Sequence, residues 1–422
     1  MSPRTPRLLS TLAILAALGA DGPEPVVIQV DAGPHDRRDT PIILPLPQGL
    51  EARPNLTVER VDDPRPVPAQ VTAIGRPSVA WVLRDEIPAG TSRRYHLRPA
   101  AAPLPPAPFS AEANDSAVRL ILDGRPALTY HVAVLQPPKG IDAVFARSGF
   151  IHPLATRSGL VVTDDFPPEH AHQHGLFFAW VNTSFRGKPT DFWNQAKRTG
   201  NVRRDESRRL PVASAGRVFA EFSDSLRHDA LDASGAATRV LDETWTVRAY
   251  DVPGLVMIDL ESRQSCAGPE PLALNKYHYG GLGIRGNRAW GDPSAKGENL
   301  PNPARSGQSN FLTSEGKTRA DGNHTRPRWV DLHGNVDGRP CGVAILGHPS
   351  NFRFPQPVRL HPNMPYFCFA PMVLGEFEIE PGKPYVSRYR IVVHDGPPDP
   401  KLLDRLWDDF ADPPLVRVLD AP

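Results

Sequence analysis

The sequence predicts an all-β protein, in which a large antiparallel β-sandwich follows a small N-terminal β-sandwich and precedes a short C-terminal helix. The 422 residues include 49 prolines and 33 glycines, which leave little room for long helices. Short β-branched or alternating segments recur along the chain between Pro, Gly and Asp residues, as is typical of strands. Because no helical pattern separates them, antiparallel sheets packed face to face are favoured.

The first 20 residues predict a secretory signal peptide. Arg4 and Arg7 precede a short apolar run from Leu8 to Leu18. This run is well below the roughly 20 residues that a membrane span needs, and no later segment approaches that length. We therefore expect a secreted or periplasmic protein with no integral membrane span.

Two β regions follow the signal peptide. Residues 25–99, with segments such as PVVIQV and VAWVL, predict the small β-sandwich. The stretch AAAPLPPAP, residues 100–108, is typical of a stiff linker. Residues 109–396 are then expected to form the large sandwich, and residues 397–422 a helix and tail. Asp399, directly followed by proline, fits the N-cap of that helix.

The composition excludes several functional classes. The formal net charge is +1, with 48 basic and 47 acidic residues, which argues against a nucleic-acid partner. Cys266, Cys341 and Cys368 are too few for a disulfide framework, so we expect small buried side chains and at most one disulfide. The sequence contains no phosphate-binding loop, dinucleotide glycine motif or G-x-S-x-G elbow.

The segment EHAHQHG places His170, His172 and His174 at alternate positions. On a strand, the three rings would share one face. Two neutral imidazoles at this spacing can bind a divalent metal with a third ligand from elsewhere. They can also transfer protons or bind substrate, because imidazole titrates near neutrality. A hydrogen-bonded polar row at a loop or strand mouth is the third interpretation.

Two further segments carry residues suited to sugar binding. Asp191, Trp193 and Asn194 lie in TDFWNQAK, and Lys276 and His278 lie in LNKYHYGG. Aromatic rings stack on the C–H faces of sugars, whereas amides and carboxylates bind hydroxyl groups. His278 is a second candidate for acid/base chemistry. A solvated turn with a buried Trp and a core histidine are the structural alternatives.

The arginines of the C-terminal half are candidates for binding an anionic or hydroxyl-rich ligand. Arg328 lies in TRPRWVDLHG, and Asn351, Arg353 and Arg359 lie in GHPSNFRFPQPVRLHPNMPYF. Surface salt bridges are the alternative role. The polar, glycine-rich segment 285–327 is expected to form a lid or rim, since long loops without secondary structure are commonly functional.

Several of these motifs resemble a bacterial secreted family known under the name methane oxygenase PmoA. SGFIHPLATRSGLVVTDDFPPEHAHQHGLFFAW, TDFWNQAKRTG and YHYGGLG carry the resemblance, which extends over residues 109–396. The pattern of strands without membrane helices argues against a subunit of a membrane oxygenase. Members look like accessories of polysaccharide degradation. Others have HPHHRG where this chain has HAHQHG, so that His174 falls on their Arg.

A weaker similarity is to the galactose mutarotase-like supersandwich. Its aldose epimerases use a His-Gly segment, a later His followed by an aromatic residue, and a carboxylate near the C-terminus. His174-Gly175 and His278 look like the first two, and Glu376 or Glu378 would have to supply the carboxylate. The resemblance implies a carbohydrate or sugar-derived small molecule as partner.

These observations together predict an exported carbohydrate-active protein of epimerase, lyase or hydrolase type. His170, His172 and His278 are the predicted catalytic residues. The predicted substrate-binding residues are His174, Asp191, Trp193, Asn194, Lys276, Arg328, Asn351 and Arg353. The alternatives are a metal-dependent enzyme with a divalent metal on His170 and His172, and a non-catalytic glycan-binding module.

Overall fold

The computed structural model describes residues 25–50, 55–291 and 309–419. Within these ranges the chain forms 28 strands in four antiparallel sheets and a single α-helix near the C-terminus. The predicted all-β fold with a short C-terminal helix is therefore confirmed. The predicted signal peptide, residues 1–20, lies outside the described residues.

The strands are numbered along the chain. They are β1 (Val26–Asp31), β2 (Pro41–Pro45), β3 (Leu56–Arg60), β4 (Asp63–Val71), β5 (Ser78–Val82), β6 (Ser92–Pro99), β7 (Phe109–Ala113), β8 (Ala117–Leu122), β9 (Arg125–His131), β10 (Ile151–Leu154), β11 (Leu176–Ala179), β12 (Thr183–Phe185), β13 (Lys188–Thr190), β14 (Gly200–Arg204), β15 (Val212–Ala215), β16 (Phe219–Leu231), β17 (Ala237–Val252), β18 (Leu255–Cys266), β19 (Leu272–Leu274), β20 (Gly281–Arg285), β21 (Asn310–Thr313), β22 (Trp329–Val336), β23 (Arg339–Gly347), β24 (Val358–Leu360), β25 (Tyr366–Phe369), β26 (Phe377–Ile379), β27 (Tyr385–Asp395) and β28 (Leu415–Leu419). The helices are α1 (Pro400–Ala411) and the single 3-10 turns Ala143–Phe145, Gln195–Lys197, Arg288–Trp290 and Pro371–Leu374.

The N-terminal strands form a seven-stranded sheet in the order β2-β5-β4-β3-β6-β1-β28. Its inward side chains, among them Ile28, Trp81 and Leu97, are buried in a core of their own. The last strand, β28, pairs with β1, with Val418 opposite Ile28. The sequence predicts only a tail there, because a single five-residue strand without a hairpin partner has no local signal.

Two larger sheets pack face to face and form the main sandwich. One has the order β24-β25-β20-β11-β10-β9-β8-β7, and the other runs β14-β16-β17-β18-β27-β23-β22-β21 with β15 added at β16. Phe177 and Ile284 from the first sheet meet Trp245, Val343 and Ile391 from the second in one continuous buried core. A smaller sheet, β13-β12-β19-β26, lies beside them. The loops at the end of the eight-stranded sheet carry the candidate site.

Helix α1 has the predicted cap. The Asp399 carboxylate accepts hydrogen bonds from two backbone N–H groups of the first turn, at 3.0 and 3.2 Å. Leu403 and Leu406 are buried together with Met257 and Trp329 from the nine-stranded sheet. The helix therefore covers the outer face of that sheet, since its apolar stripe needs a partner.

Three further features concern the linker, the cysteines and the membrane. Residues 100–108 contain neither strand nor helix. Cys266, Cys341 and Cys368 are free thiols, and the last two are buried. No helix in the described part of the chain is long and apolar enough to cross a membrane.

Candidate functional site

The histidine segment forms turns and not a strand. Residues 167–173 have no ladder pairing, and His174 makes a single bridge to Asp165 before β11 begins. The alternation that would place three rings on one face is therefore absent. Gly175 allows the tight entry into β11, because its φ is +42° and a Cβ there would lie 2.1 Å from the carbonyl oxygen of Ile151.

His174 is part of the protein interior. Its side chain is fully buried, with Nδ1 2.6 Å from Asp165 Oδ1 and Nε2 3.3 Å from Gln195 Oε1. Burial lowers the pKa of His174, although the hydrogen bond to Asp165 opposes this shift. Because both ring nitrogens are engaged in the core, His174 anchors the loop and does not reach the cavity. Its predicted role in substrate binding is corrected to an anchoring role.

A cavity of about 200 Å³ lies beside this loop. Apart from Met364, the described residues that line it have polar or aromatic side chains, and none of them is a carboxylate. They are His170, His172, Gln173, Trp193, Asn194, His278, Tyr279, Arg359, His361, Met364 and Tyr366. Five of the residues predicted as site residues, His170, His172, Trp193, Asn194 and His278, are thus brought together by the fold.

His170 lies between two other histidines of the cavity. Its ring centroid is 5.5 Å from that of His172 and 6.1 Å from that of His361. The buried Nδ1 atom of His170 has no hydrogen-bond partner among the described residues. Burial, together with the nearby guanidinium of Arg285, lowers the pKa of His170. The ring is therefore neutral at physiological pH.

His172 and His361 are held in the neutral form more strongly. Burial lowers the pKa of each to about 3, with further contributions from neighbouring cationic groups. Nδ1 of His361 accepts hydrogen bonds from the backbone N–H groups of Asn363 and Met364, both at 3.1 Å. The proton of the neutral ring must then be on Nε2. His361 is consequently a fixed hydrogen-bond donor at the cavity wall.

Asp191 organises the loop that contributes Trp193 and Asn194. Its carboxylate accepts the backbone N–H groups of both residues, at 3.0 and 2.8 Å, and the ammonium group of Lys197 at 2.7 Å. Trp193 is only 1% exposed, and its ring packs 5.3 Å from that of Tyr279. Asp191 therefore positions the loop without lining the cavity itself, and the almost fully buried Trp193 ring forms part of the cavity wall.

His278 lies at the rim of the cavity and is exposed. Its ring is 4.8 Å from that of Tyr279, whose hydroxyl is 3.0 Å from the amide nitrogen of Asn194. Partial burial and the charge of Arg359 lower the pKa of His278. Lys276, predicted to bind substrate, is exposed and does not line the cavity.

Three other residues predicted to bind substrate lie away from the cavity. Arg328 pairs with Asp404 of helix α1 at 2.8 Å. Asn351 exchanges hydrogen bonds with the backbone of Arg388, at 2.8 and 2.7 Å. Arg353 donates to three backbone carbonyl groups. Each of these side chains satisfies a local polar group of the fold, which is the commoner use of Arg and Asn in loops.

Two residues of the hairpin between β24 and β25 complete the site. Arg359 is one of the arginines that the sequence pattern indicates as candidates, whereas His361 was not predicted. The two lie at alternate positions in RLHP, a spacing that could have indicated a shared face. The predicted lid, segment 285–327, reaches the site through His324, whose Nε2 is 3.2 Å from the backbone oxygen of His278. Residues 292–308 of that segment lie outside the described ranges.

A metal on His170 and His172 is not supported by a third ligand. Across the described ranges, no group of three His, Cys, Asp or Glu side chains is arranged to hold a metal ion. Arg359 adds positive charge to the wall of the cavity and lowers the pKa of His361, and the guanidinium of Arg285, although paired with Glu169, lowers the pKa of His170. The same field would oppose a bound cation.

Comparisons with known proteins give one family match. Residues 117–408 match the model of a family of unknown function, DUF6807, whose description carries no oxygenase name. No curated protein matches the chain. Among solved structures, a glycosyl hydrolase family 38 protein from Enterococcus faecalis is 10% identical with a TM-score of 0.41, over 89% of this chain and 45% of that protein. A galactose mutarotase related enzyme from Lactobacillus acidophilus is 9% identical with a TM-score of 0.30, over 68% and 97%. The chain thus spans less than half of the first of these proteins.

Proposed function

Because the chain belongs to the family of unknown function DUF6807, its activity has to be inferred from its own side chains, and we propose that its cavity binds a sugar and transfers protons through histidine. The observation that supports this proposal most strongly is the lining of the cavity. It brings together four histidines, Trp193, Asn194 and Tyr279 around a space of about 200 Å³.

The hydrogen-bonding groups of the cavity suit a small polyhydroxylated ligand. His361 supplies an Nε2–H donor, and neutral His172 can donate or accept. Asn194 and Gln173 add amide groups to the lining. Asn194 already donates to Asp191 and Tyr279 and Gln173 already accepts from Arg285, but each amide oxygen can accept a further hydrogen bond. Aromatic rings beside such groups match the alternating C–H and O–H surfaces of a sugar. The volume of about 200 Å³ suits a ligand no larger than one sugar unit, because pockets for drug-sized ligands have volumes of about 300–1,000 Å³.

His278 is the group best placed to move a proton. It is exposed and can exchange protons with solvent, and its side chain has no hydrogen bond within the described part of the chain. His172 and His361, with pKa values of about 3, are poor proton acceptors at neutral pH. We therefore assign catalysis to His278 and hydrogen bonding to the other histidines, which narrows the predicted catalytic set.

The described part of the chain places no carboxylate in the lining, and this bears on the reaction type. Glycoside hydrolysis commonly uses two carboxyl groups on either side of the scissile bond. Glu376 and Glu378, the carboxylates proposed from the mutarotase-like pattern, are exposed and do not line the cavity. Proton transfer by a single histidine is compatible with epimerisation or elimination. The lining consequently favours these reactions over hydrolysis.

Substitution of His278 tests the catalytic assignment. His278→Gln should reduce turnover by about 100-fold or more, as loss of a general base does, and leave sugar affinity almost unchanged. His361→Gln should weaken affinity by about 3- to 10-fold, since one neutral hydrogen bond is lost. Turnover is measured by product chromatography and affinity by calorimetry. His96→Gln, in the N-terminal sheet, is the matched control.

Two results would contradict the proposal. If His278→Gln turned over a validated substrate at the rate of the unaltered protein, the acid/base assignment would be wrong. Sugar affinity without product in every assay would favour the non-catalytic glycan-binding module instead.

Export is part of this proposal. The basic and apolar pattern of residues 1–20 is that of a secretory signal. Expression of the full chain in a Gram-negative host should yield a periplasmic product that lacks about 20 N-terminal residues. Cell fractionation and N-terminal sequencing measure this, and an unprocessed cytoplasmic product would contradict it.

A further inference from the structure

Arg359 is an unpaired cation in the wall of the cavity. It lies in the middle of β24, the edge strand of the eight-stranded sheet, and lines the cavity beside His278 and His361. Its guanidinium has no ion pair or hydrogen bond with any described residue. Other arginines on this side of the fold are paired, for example Arg288 with Asp164 at 2.9 Å. Arg359 is thus available to a ligand.

The surroundings of Arg359 leave its charge uncompensated. Among the described residues, the cavity lining contains no Asp or Glu. Two acidic groups close to the lining are already used, since Asp191 pairs with Lys197 at 2.7 Å and Glu169 pairs with Arg285. The histidines of the lining are neutral or cationic, so none of them offsets the positive charge of Arg359. A ligand that enters this cavity therefore meets a net positive field in partly desolvated surroundings, where charge interactions are stronger than in water.

We propose that the sugar bound in this cavity is an acidic one, a uronic-acid unit whose carboxylate is held by Arg359. This inference rests on the proposed sugar site and adds its substrate class. A planar guanidinium matches a carboxylate with two parallel hydrogen bonds. The Nε2–H group of His361, two residues along the chain, provides a neutral donor on the same wall. Arg359 is then the residue that selects acidic over neutral sugars.

The test compares pairs of sugars that differ only at carbon 6. The probes are glucuronate with glucose, galacturonate with galactose, and mannuronate with mannose, together with galactose 6-sulfate, and calorimetry measures the affinities. We expect at least one uronate to bind about 10-fold or more tightly than its neutral partner, as charge-assisted hydrogen bonds are stronger than neutral ones. That preference should fall as salt is raised from about 0.05 to 0.5 M.

Variants of Arg359 assign the preference to this side chain. In Arg359→Gln, the affinities for a uronate and its neutral partner should differ by no more than about twofold. Arg359→Lys, which keeps the charge but not the paired donors, should retain an intermediate preference for the uronate. Arg76→Gln, at an exposed site in the N-terminal region, removes the same charge elsewhere and should leave the preference unchanged. Unaltered thermal midpoints show that the variants fold.

The outcomes separate this inference from the proposed function. Equal binding of neutral and acidic sugars, or a preference that survives Arg359→Gln, would overturn the role of Arg359 while the sugar site stands. Tighter binding of the 6-sulfate than of any uronate would overturn the carboxylate assignment. If no sugar of either charge bound and His361→Gln changed nothing, both the proposed function and this inference would fail.

Discussion

Replacing Gly175 by alanine tests how the histidine loop is held against the sandwich. The residue has φ +42°, and a Cβ there would lie 2.1 Å from Ile151 O and 2.9 Å from His152 Cβ. A left-handed conformation costs an L-residue about 1–2 kcal/mol. Moving closely packed backbone costs about 1–3 kcal/mol more. Gly175→Ala should therefore lower the free energy of unfolding by about 2–5 kcal/mol.

A matched glycine separates the two contributions. Gly187 has φ +73° and no atom within 4 Å of a built Cβ, so Gly187→Ala should show the conformational cost alone, about 1–2 kcal/mol. Denaturant unfolding of both variants gives the difference. Calorimetry with a probe sugar should also show weaker binding for Gly175→Ala, because His170 and His172 immediately precede the displaced turn.

Equal destabilisation by the two substitutions would refute this reasoning. It would mean that the β10 backbone yields freely to a Cβ and that the loop position is set elsewhere. Unchanged sugar affinity in a destabilised Gly175→Ala protein would show that the turn supports the fold but not the cavity.

Three more predictions concern two buried charged groups and the metal content of the protein. Glu243→Gln should lower the free energy of unfolding by about 3–5 kcal/mol, because this carboxylate is 1% exposed and hydrogen-bonded to four side chains. Denaturant unfolding measures the loss. The control is Glu378→Gln at an exposed position, which should cost less than about 0.5 kcal/mol. Burial opposes protonation of His394, but its hydrogen bond to the buried carboxylate of Asp331 raises the pKa of His394 above 6.5. The protonated ring therefore stabilises the fold below pH 6.5, and this stabilisation is lost as the pH rises through the raised pKa. The thermal midpoint should fall as the pH rises above 6.5. A midpoint that does not depend on pH, or the same pH dependence in His394→Gln, would contradict this role of His394. Elemental analysis should find less than stoichiometric metal on His170 and His172, and a chelator-sensitive activity would oppose this.

The parts of the fold that local signals specify were accessible from the sequence. Frequent Pro and Gly residues exclude long helices, so the all-β class follows from composition and alternation alone. The C-terminal helix follows from Asp399, its proline and the apolar spacing after them, all of which act within one or two turns. The pairing of β28 with β1 escaped prediction, since strand partners distant in the chain leave no local pattern.

The candidate site was predictable in part from the sequence and in part only from the tertiary structure. The residue types were visible in the sequence, and five of the predicted positions line one cavity. Their roles were not visible, because burial and partners decide them. His174 became a core anchor through Asp165, and Arg353 was engaged by backbone carbonyl groups. His361 and Arg359 lie beside His170 because the packing of the sheet places the β24–β25 hairpin next to the histidine loop. The sequence therefore determined the fold class and the available chemistry. The tertiary structure decided which groups stay free to contact a ligand, because long-range contacts engage the other polar side chains within the fold.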